Sequence, residues 1–336
     1  MINFFTRRTQ RLRALFVPAI LAVILLLGSL IILFFTRTPS RREIKITAVI
    51  KAIANDSEFW EVVKTGLRAG AVEFGVDLDI QGPWAESDIE GQIRIIDTIL
   101  ASDPPAALIL AATDYIRLVP AVEKAAALGV RVITMDSGVD SPLPRTFVAT
   151  NNIEGGEKAA AEMMRILEPG RKLAIINHVR FATTAMEREK GTRRVLDRDG
   201  RYPVTGAWFT DNFEENAYAI TVQLLRDHPD LGGILAMNEV STVGTAKALR
   251  DTGTAGKVRL VGFDSSLTEI QFIEEGVIAA TVIQKPFNMG YLAVQAARDA
   301  AENRPLPSFI DTGSVLITVE NLYEPENQKL LFPFVE

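Results

Sequence analysis

Short apolar segments alternate with longer amphipathic segments along most of this chain, from residue 43 onward. The apolar segments are rich in β-branched residues and include IKITAVI, VDLDI, AALILAA, VRVITMD, KLAIIN, LGGILAM and VRLVGF. Such runs are typical of strands buried on both faces of a sheet. One amphipathic segment, residues 87–100, places its apolar side chains on one helical face: Ile89, Ile93, Ile96 and Leu100. The alternation predicts parallel, doubly wound α/β sheets with right-handed crossovers.

The alternation occurs in two sets of similar length, over residues 43–150 and 151–284. A chain of 336 residues is too long for one ordinary hydrophobic core. The first set has no natural end beyond the segment NNIEGG. We therefore predict two lobes joined by several crossings of the chain, rather than two domains on a flexible linker.

An uncharged apolar segment, residues 14–35, follows a basic N-terminus that contains Arg7, Arg8, Arg11 and Arg13. At about 1.5 Å per residue, a helix of this length spans the hydrocarbon core of a bilayer. A cleavable signal peptide has a shorter apolar core, of about 7–15 residues, and a small-residue cleavage site. This segment instead runs into FFTRTPSRRE. The pattern predicts a cytoplasmic N-terminus (1–13), an uncleaved transmembrane signal anchor (14–35) and a linker (36–43).

Composition and motifs exclude several classes of protein. The net charge of −6 and a pI near 5.3 argue against a nucleic-acid-binding protein, which needs a basic surface. The absence of cysteine excludes disulfides, thiolate metal sites and a cysteine nucleophile. Nucleotide-binding and nucleophile-elbow motifs are absent, and neither His178 nor His228 is assigned a catalytic role. We expect no cofactor, no metal and no enzymatic activity, although a fold does not fix a function and an enzyme stays an open alternative.

The segment 257–286 places polar residues at the ends of two apolar strands. The run VRLVGF ends at Asp264, and a short amphipathic helix (Leu267–Glu275) and a second strand (Val277–Ile283) then lead to Gln284. Ligands meet open α/β sheets at the carboxyl ends of parallel strands, where Asp264 would lie. Asp264 is therefore a candidate ligand-binding residue. The alternative is that it only caps the helix that follows.

This order of GFD, helix, strand and Q-x-P resembles the type I periplasmic sugar-binding proteins, most closely their ribose-binding branch. The resemblance covers nearly all of the chain from Ile44 to Asn321. It implies that Asp264 and Gln284 hold sugar hydroxyl groups, and that Gln284 lies where the chain crosses between lobes. It also implies lobes that interleave along the sequence, with 44–150 and 285–313 in lobe 1 and 151–284 and 314–336 in lobe 2.

The resemblance places aromatic side chains of lobe 1 at the binding site. The first strand is followed by NDSEFW, where the family has N-x-F-F. Phe59 and Trp60 then correspond to rings that stack on the apolar face of a sugar. From the sequence alone both rings could instead belong to the core, and two adjacent residues do not share one helical face. The segment is about one residue longer than the family pattern, so either Asp56 or Ser57 takes the place of the family's asparagine.

A second residue of lobe 1, Asp136, ends the strand VRVITM. The family has an aspartate here that accepts hydrogen bonds from sugar hydroxyls. The ribose-type pattern continues with arginine, whereas this chain has Ser137. A missing guanidinium changes the set of hydroxyl groups that the site recognises, so the resemblance does not identify ribose as the ligand.

Lobe 2 contributes further residues that match the family pattern. Arg188 and Gly191 form the R-x-x-G of the second lobe, although a lone helical arginine is more often a surface residue. Phe213 corresponds to the stacking aromatic of that lobe. Asn238 follows the strand LGGILAM, where the family has N-D.

Together these residues suit a neutral polyhydroxylated ligand, bound by charge-assisted hydrogen bonds from aspartate and arginine. The leading hypothesis is a monomeric solute-binding protein, anchored on the periplasmic side of the bacterial inner membrane, that delivers a sugar or polyol to an ABC permease. Its lobes would close around the ligand, as in periplasmic binding proteins generally. If residues 1–35 are cleaved, the protein is free in the periplasm.

Two other functions stay open at this point. The first is a sensor that presents its closed state to a chemoreceptor or a sensor kinase, and the second is a sugar-modifying enzyme. Lactose-repressor-type regulators share the fold but begin with a helix-turn-helix, where this chain has an apolar segment.

Overall fold

The computed structural model describes residues 25–29, 44–54 and 57–332. By its internal contacts the chain divides into two units, residues 1–43 and 44–336. Of the first unit only residues 25–29 are described, and they are helical. The anchor predicted at 14–35 therefore lies outside the described residues except for that short piece. Within the described ranges, no helix is both long and apolar enough to cross a membrane.

The second unit contains two six-stranded sheets. The strands of the first sheet are β1 (Ile44–Val49), β2 (Val76–Gln81), β3 (Ala107–Leu110), β4 (Arg131–Met135), β5 (Phe147–Ala149) and β11 (Phe309–Asp311). The strands of the second sheet are β6 (Lys172–Asn177), β7 (Val204–Phe209), β8 (Leu231–Ala236), β9 (Arg259–Phe263), β10 (Ala280–Ile283) and β12 (Val315–Thr318).

The two sheets have the same topology. Their strand orders are β11-β5-β4-β3-β1-β2 and β12-β10-β9-β8-β6-β7. All neighbours pair in parallel except β12, which runs antiparallel to β10. The predicted two-lobe α/β architecture with parallel sheets is confirmed, and the antiparallel edge strand is a departure from it.

Helices cover both faces of each sheet. In chain order they are α1 (Glu58–Phe74), α2 (Ile89–Ser102), α3 (Val119–Ala127), α4 (Asn152–Ile166), α5 (Thr183–Asp199), α6 (Glu214–Asp227), α7 (Glu239–Asp251), α8 (Leu267–Glu274), α9 (Pro286–Ala301) and α10 (Pro325–Leu331). Helix α9 packs against α1 and the first sheet, whereas α4 packs against α5 and the second. Apolar side chains on the two faces of each sheet form separate core clusters.

The chain passes between the two sheets at residues 150–151, 284–285 and 312–314. Two of these crossings touch, because the hydroxyl oxygens of Thr150 and Thr312 lie 3.2 Å apart. Lys158 of α4 donates to the Ser314 carbonyl at 2.9 Å. Several short crossings, joined by hydrogen bonds, restrict how the lobes can move relative to each other. A hinge motion about these segments leaves both hydrophobic cores intact.

Matching topology makes the ends of β4 and β9 equivalent positions. The residues that follow them, Asp136 and Asp264, both have left-handed backbone conformations, with φ of 59° and 72°. Non-glycine residues seldom take this conformation, and it is concentrated at functional sites when the surrounding structure holds it in place. The fold thus places one carboxylate at the carboxyl end of the corresponding strand in each sheet.

Candidate functional site

A pocket of about 340 Å³, partly open to solvent, lies between the lobes at the carboxyl ends of the strands. Lobe 1 lines it with Lys51, Ser57, Phe59, Trp60, Glu86 and Asp136. Lobe 2 lines it with His178, Thr184, Arg188, Asn212, Asn238, Glu239, Asp264 and Gln284. The lining is mostly polar, which suits a small hydrophilic ligand.

On the lobe 1 side, Asp136 forms a buried ion pair with Lys51. The ammonium nitrogen lies 2.7 Å from Asp136 Oδ2, and both side chains are nearly inaccessible to solvent. A buried charge needs such a partner, because its desolvation otherwise costs several kcal/mol. The pair therefore places a cation and a carboxylate side by side on the pocket wall.

The two aromatic rings of lobe 1 both reach this pocket from the first turn of α1. Phe59 and Trp60 meet edge to face, with centroids 5.2 Å apart. Trp60 also packs in the core, and its indole N–H donates to Glu86 Oε1 at 2.8 Å. Burial raises the pKa of Glu86, while Lys51 opposes that shift. The two adjacent rings do line one wall, contrary to the expectation from helical spacing, because they lie where the helix begins.

On the lobe 2 side, Asp264 is held by hydrogen bonds on both oxygens. Gln284 donates its amide to Oδ1 at 2.6 Å, and the backbone N–H of Glu239 donates to Oδ2 at 3.2 Å. The guanidinium of Arg188 lies 3.7 Å from the same Oδ2. Burial raises the pKa of Asp264, and Arg188 opposes that shift.

Asp264 does not cap the helix that follows it. Ser266 is the N-cap of α8, and its hydroxyl accepts from the Glu269 backbone N–H at 3.2 Å. Glu269 lies three residues further on, and its carboxylate accepts from the Ser266 hydroxyl at 3.4 Å. The alternative role for Asp264, as a cap of α8, is therefore wrong.

Arg188 is a buried residue, 2% exposed, and not the surface residue that its helical position alone favours. Its Nε donates to Asn152 at 2.9 Å, its Nη1 donates to the Met237 carbonyl at 2.6 Å, and its guanidinium stacks 4.5 Å above the Phe263 ring. Fixed donors of this kind bind hydroxyl or carboxylate oxygens with defined geometry.

Gly191 allows Arg188 to reach these partners. A Cβ at residue 191 would lie 2.0 Å from the carbonyl oxygen of Ile153 in α4, and one at Gly156 would lie 2.1 Å from the carbonyl oxygen of Arg188. Helices α4 and α5 therefore approach more closely than any larger residue permits. The R-x-x-G pattern is thus explained by packing as well as by binding.

The amides of Asn238 and Asn212 complete the lobe 2 wall. Asn238 caps α7 by accepting from Ser241 N–H at 3.1 Å, and it donates to Asn212 Oδ1 at 2.7 Å. Asp211 and Asn212 both have left-handed backbone conformations. This turn brings Asn212 to the pocket.

The lobes also bind each other directly, next to the pocket. Glu239 of lobe 2 accepts from the Ser57 hydroxyl at 2.6 Å and from the backbone N–H groups of Glu58 and Phe59 at 3.2 Å. These are orphan donors at the N-terminus of α1, which Ser57 does not cap with its own side chain. In the other direction, Glu58 accepts from the Leu267 N–H at the start of α8, at 3.1 Å. Each lobe therefore caps a helix of the other.

Further contacts join the lobes on the far side of the pocket. The Tyr115 N–H donates to the Phe181 carbonyl at 2.9 Å, and the Gly138 N–H donates to the Thr183 hydroxyl at 2.8 Å. With the Glu239 contacts, these bonds surround the pocket. The geometry is that of a closed two-lobe arrangement.

Several carboxylates of this interface are buried together. Burial raises the pKa of Glu239 to about 7, although the Ser57 hydroxyl favours its charged form. Burial also raises the pKa of Glu269 well above its ordinary value, with Glu239 and Asp264 adding to the shift. Among the described residues, no cluster of His, Asp and Glu has the arrangement of a metal site.

The structure brings together most of the residues that the sequence proposed: Phe59, Trp60, Asp136, Arg188, Asn238, Asp264 and Gln284. Ser57 also lines the pocket, and Asp56 lies outside the described residues. Ser137 does not line it, because the left-handed turn at Asp136 leaves the serine side chain fully buried.

Phe213 is likewise outside the pocket lining. It is the N-cap of α6 and is 46% exposed, and the turn before it presents Asn212 to the pocket instead. The residues that sequence reasoning missed are chiefly Lys51, Glu86, Thr184 and Glu239, together with His178, which received no role. Lys51 and His178 follow β1 and β6 within two residues, so their positions after strands were the available signal.

A family model described as a periplasmic binding protein domain matches residues 48–305 of this chain. The chain belongs to the periplasmic binding protein family. The resemblance to type I periplasmic sugar-binding proteins is thereby confirmed.

Two curated proteins are similar to this chain over most of its length. The D-ribose/D-allose-binding protein of Pseudomonas aeruginosa is 29% identical over 264 residues, which cover 75% of this chain and 81% of the relative. The ribose import binding protein of Bacillus subtilis is 27% identical over 271 residues, covering 81% and 86%.

Solved structures of the family superpose over nearly their whole length. A carbohydrate transporter solute-binding protein from Agrobacterium radiobacter, in complex with D-arabinose, has a TM-score of 0.82 at 28% identity and covers 87% of this chain and 100% of that one. An ABC transporter solute-binding protein from Agrobacterium vitis, with bound D-fucose, has a TM-score of 0.82 at 29% identity, covering 85% and 99%.

Proposed function

We propose that this protein is a solute-binding protein that captures a monosaccharide or a similar polyol between its lobes and delivers it to an ABC importer. The observation that carries the proposal is the pocket itself, in which both lobes present fixed, buried donors and acceptors around a small volume. Asp136 and Asp264 face it from equivalent positions of the two sheets. Paired donors and acceptors of this kind match the hydroxyl groups of a sugar.

The aromatic residues support the same proposal. Phe59 and Trp60 give one wall of the polar pocket an apolar surface. A sugar has an apolar C–H face and a rim of hydroxyl groups, so it fits a pocket with one aromatic wall and polar edges. The names of these relatives describe binding, import and transport, which agrees with an importer component rather than a catalyst.

Membrane anchoring is a second part of the proposal and rests on the sequence alone. Residues 14–35 are uncharged and long enough to span a bilayer. An anchored binding protein would stay close to the permease that it serves. The binding lobes would lie on the periplasmic side of the inner membrane, with residues 14–35 spanning it and residues 1–13 in the cytoplasm.

The test is a calorimetric titration of the full chain with D-ribose, D-allose, D-arabinose and D-fucose, with the L-enantiomer of each as control. We expect one D-sugar to bind with a Kd at least tenfold below that of its enantiomer. X-ray scattering should then show a smaller radius of gyration with that sugar than without it. Binding of none of these sugars or of related polyols would overturn the proposal, and release of a chemically altered sugar would make the protein an enzyme.

A further inference from the structure

His178 is a buried histidine of the pocket wall with one ring nitrogen unused by the protein. It follows β6 directly, is 3% exposed and lines the pocket. Its Nε2 lies 2.9 Å from the Thr184 hydroxyl oxygen. Its Nδ1 is buried and has no hydrogen-bond partner among the described residues. Buried polar atoms are normally hydrogen-bonded, so an exception in a binding pocket points to a missing ligand atom.

A chain of polar contacts that crosses between the lobes ends at this ring. Asp136 pairs with Lys51 in lobe 1, at 2.7 Å. Lys51 also donates to the Thr184 hydroxyl in lobe 2, at 3.4 Å, and Thr184 contacts His178. We refer to Asp136, Lys51, Thr184 and His178 as the relay. All of its members are buried.

The relay decides which ring nitrogen holds the proton. An ammonium group can only donate, so the Thr184 oxygen accepts from Lys51. A hydroxyl polarised by a cation in this way is a stronger donor, which favours donation of its own proton to another acceptor over acceptance of a second hydrogen bond. The acceptor within reach is His178 Nε2. A neutral imidazole that accepts at Nε2 has its proton on Nδ1. The unused nitrogen is therefore a donor.

The surroundings keep this imidazole neutral. Burial holds the pKa of His178 well below its ordinary value near 6.5, and Lys51 and Arg188 lower it further. The nearby carboxylate of Asp136 is already paired with Lys51. A second unused group in the same pocket is the amide oxygen Oε1 of Gln284, which can only accept. Asp136 Oδ2, although ion-paired with Lys51, also has no hydrogen-bond partner among the described residues. The pocket thus offers an unused donor at His178 beside unused acceptors, and the hydroxyl groups of a polyol would satisfy both.

We propose that His178 binds the captured ligand by donating from Nδ1–H to a hydroxyl oxygen, and that the relay fixes the ring in this tautomer when the lobes meet. The inference rests on the proposed sugar-binding function and adds a specificity residue to it. Because Lys51 and Thr184 belong to different lobes, the relay is complete only in the closed arrangement. The donor at Nδ1 is then set by closure rather than by the second lobe alone.

Two amide variants separate the two ring nitrogens. The amide nitrogen of asparagine is as many bonds from the backbone as Nδ1, and that of glutamine is as many as Nε2. We expect His178→Asn to bind the tightest of the four D-sugars within about twofold of the natural protein, since it keeps a donor at the Nδ1 position. His178→Gln keeps the hydrogen bond to Thr184 but loses the donor at the Nδ1 position. It should bind that sugar three- to tenfold more weakly, because one neutral hydrogen bond to the ligand is lost. Thermal melts of both variants report whether they fold.

Nitrogen NMR of the full chain tests the tautomer directly. The sequence has two histidines, so the His178→Gln variant assigns both rings. We expect His178 as the Nδ1–H tautomer, unprotonated from pH 8 to pH 5.5, and a mixture of tautomers in Thr184→Val. An Nε2–H ring, or an unchanged tautomer in Thr184→Val, would overturn the relay.

The outcomes also distinguish this inference from the function on which it rests. If the natural protein binds a sugar and both amide variants bind it equally well, His178 is not a ligand residue and only this inference fails. If the natural protein binds none of the four sugars, the proposed function fails for this panel and the inference falls with it.

Discussion

At the scale of single residues, the pocket is built from side chains whose burial only makes sense if something binds them. Asp264 is the clearest case, because its two oxygens are held by Gln284 and by a backbone N–H, while its pKa is raised by burial. Such a carboxylate contributes little to folding stability, because the desolvation penalty of a buried charge is about as large as the stabilisation from its partners. Ligand binding explains better why the Asp264 carboxylate is buried.

We predict that Asp264→Asn weakens sugar binding about ten- to a hundredfold, the loss of a charged hydrogen-bond acceptor worth about 1.5–3 kcal/mol. The matched control is Ser266→Ala, two residues away. That variant should lower stability by about 1 kcal/mol through loss of the α8 cap and leave affinity nearly unchanged. Titration calorimetry and thermal melts on both variants check this, and natural affinity in Asp264→Asn would remove Asp264 from the site.

The sequence predicted the residues that end apolar strands and missed those that depend on turns. Asp136 and Asp264 were found because each directly follows a strand of the expected type. Lys51 and His178 also follow strands, but no local pattern encodes their contacts with Asp136 and Thr184. Glu86 was missed because it lies in the loop between β2 and α2. Phe213 was proposed for the pocket, but two left-handed residues before it present Asn212 instead.

At the scale of secondary-structure elements, long and strongly apolar strands were predictable and short edge strands were not. The strands β5 and β11 have three residues each, too few to show a period. β7 is half-buried along its whole length and includes Gly206, so its pattern is neither alternating nor continuously apolar. The strand predicted from Val277 begins at Ala280, because Val277 and Ile278 pack into the core directly after the left-handed Gly276.

The contact between α4 and α5 gives a prediction at this scale. Gly191→Ala would place a methyl group 2.0 Å from the Ile153 carbonyl oxygen, so the helices must separate. We expect a loss of about 1–3 kcal/mol in the free energy of unfolding, together with weaker sugar binding as Arg188 shifts. Exposed Lys190→Ala on the same helix should change stability by less than about 0.5 kcal/mol. Chemical denaturation measures both, and equal stability of the two variants would refute the packing argument.

The cap that Glu239 provides for α1 leads to a prediction about pH. Burial at the lobe interface raises the pKa of Glu239 from an ordinary value near 4.5 to about 7. Parting of the lobes would expose this carboxylate, so we expect the closed form to hold a proton that the open form releases. The contribution of this group to closure is therefore full below about pH 4.5 and is lost as the pH rises through about 7. The carboxylates that act on it electrostatically are Asp264 and Glu269. Glu58 donates its backbone N–H to it, and Arg188 pairs with Asp264.

Glu239→Gln resembles the protonated form at every pH. We therefore expect the ratio of the natural Kd to the Kd of Glu239→Gln to be about four at pH 5, to rise by at most tenfold per pH unit, and to level off above about pH 7. Calorimetric titrations at pH 5, 6, 7 and 8 give this ratio. Any effect of His178 ionisation on the Kd is present in both proteins and therefore cancels in the ratio. A constant ratio would show that Glu239 stays ionised in the closed arrangement.

At the scale of the whole molecule, the sequence predicted two α/β lobes because the strand–helix alternation occurs twice over similar lengths. The antiparallel direction of β12 was not predictable from its apolar pattern, since a four-residue strand reads the same in both directions. The faces that the lobes present to each other also depend on three-dimensional closure. The hydrophobic periodicity of the chain carries no information about which faces of the lobes meet.

The anchor belongs to this scale as well. We predict that the mature protein keeps residues 1–35 and fractionates with membranes, because the apolar segment exceeds a signal-peptide core and has no small-residue cleavage site. Intact-mass spectrometry of the protein from its natural host measures this. A mature N-terminus between about residues 36 and 43 would show that the segment is a cleaved signal peptide.

The contacts that surround the pocket have a consequence for how fast a captured molecule leaves. The Ser57–Glu239 and Gly138–Thr183 hydrogen bonds tie the two lobes together beside the pocket, which is itself partly open to solvent. We expect a captured molecule to depart only after these bonds break and the opening widens, so that its residence time is no shorter than the time the lobes take to part. Weakening the contacts within the pocket would lower affinity, but it would not speed release beyond that limit. A permease that pulls the two lobes apart would thus set the pace of unloading.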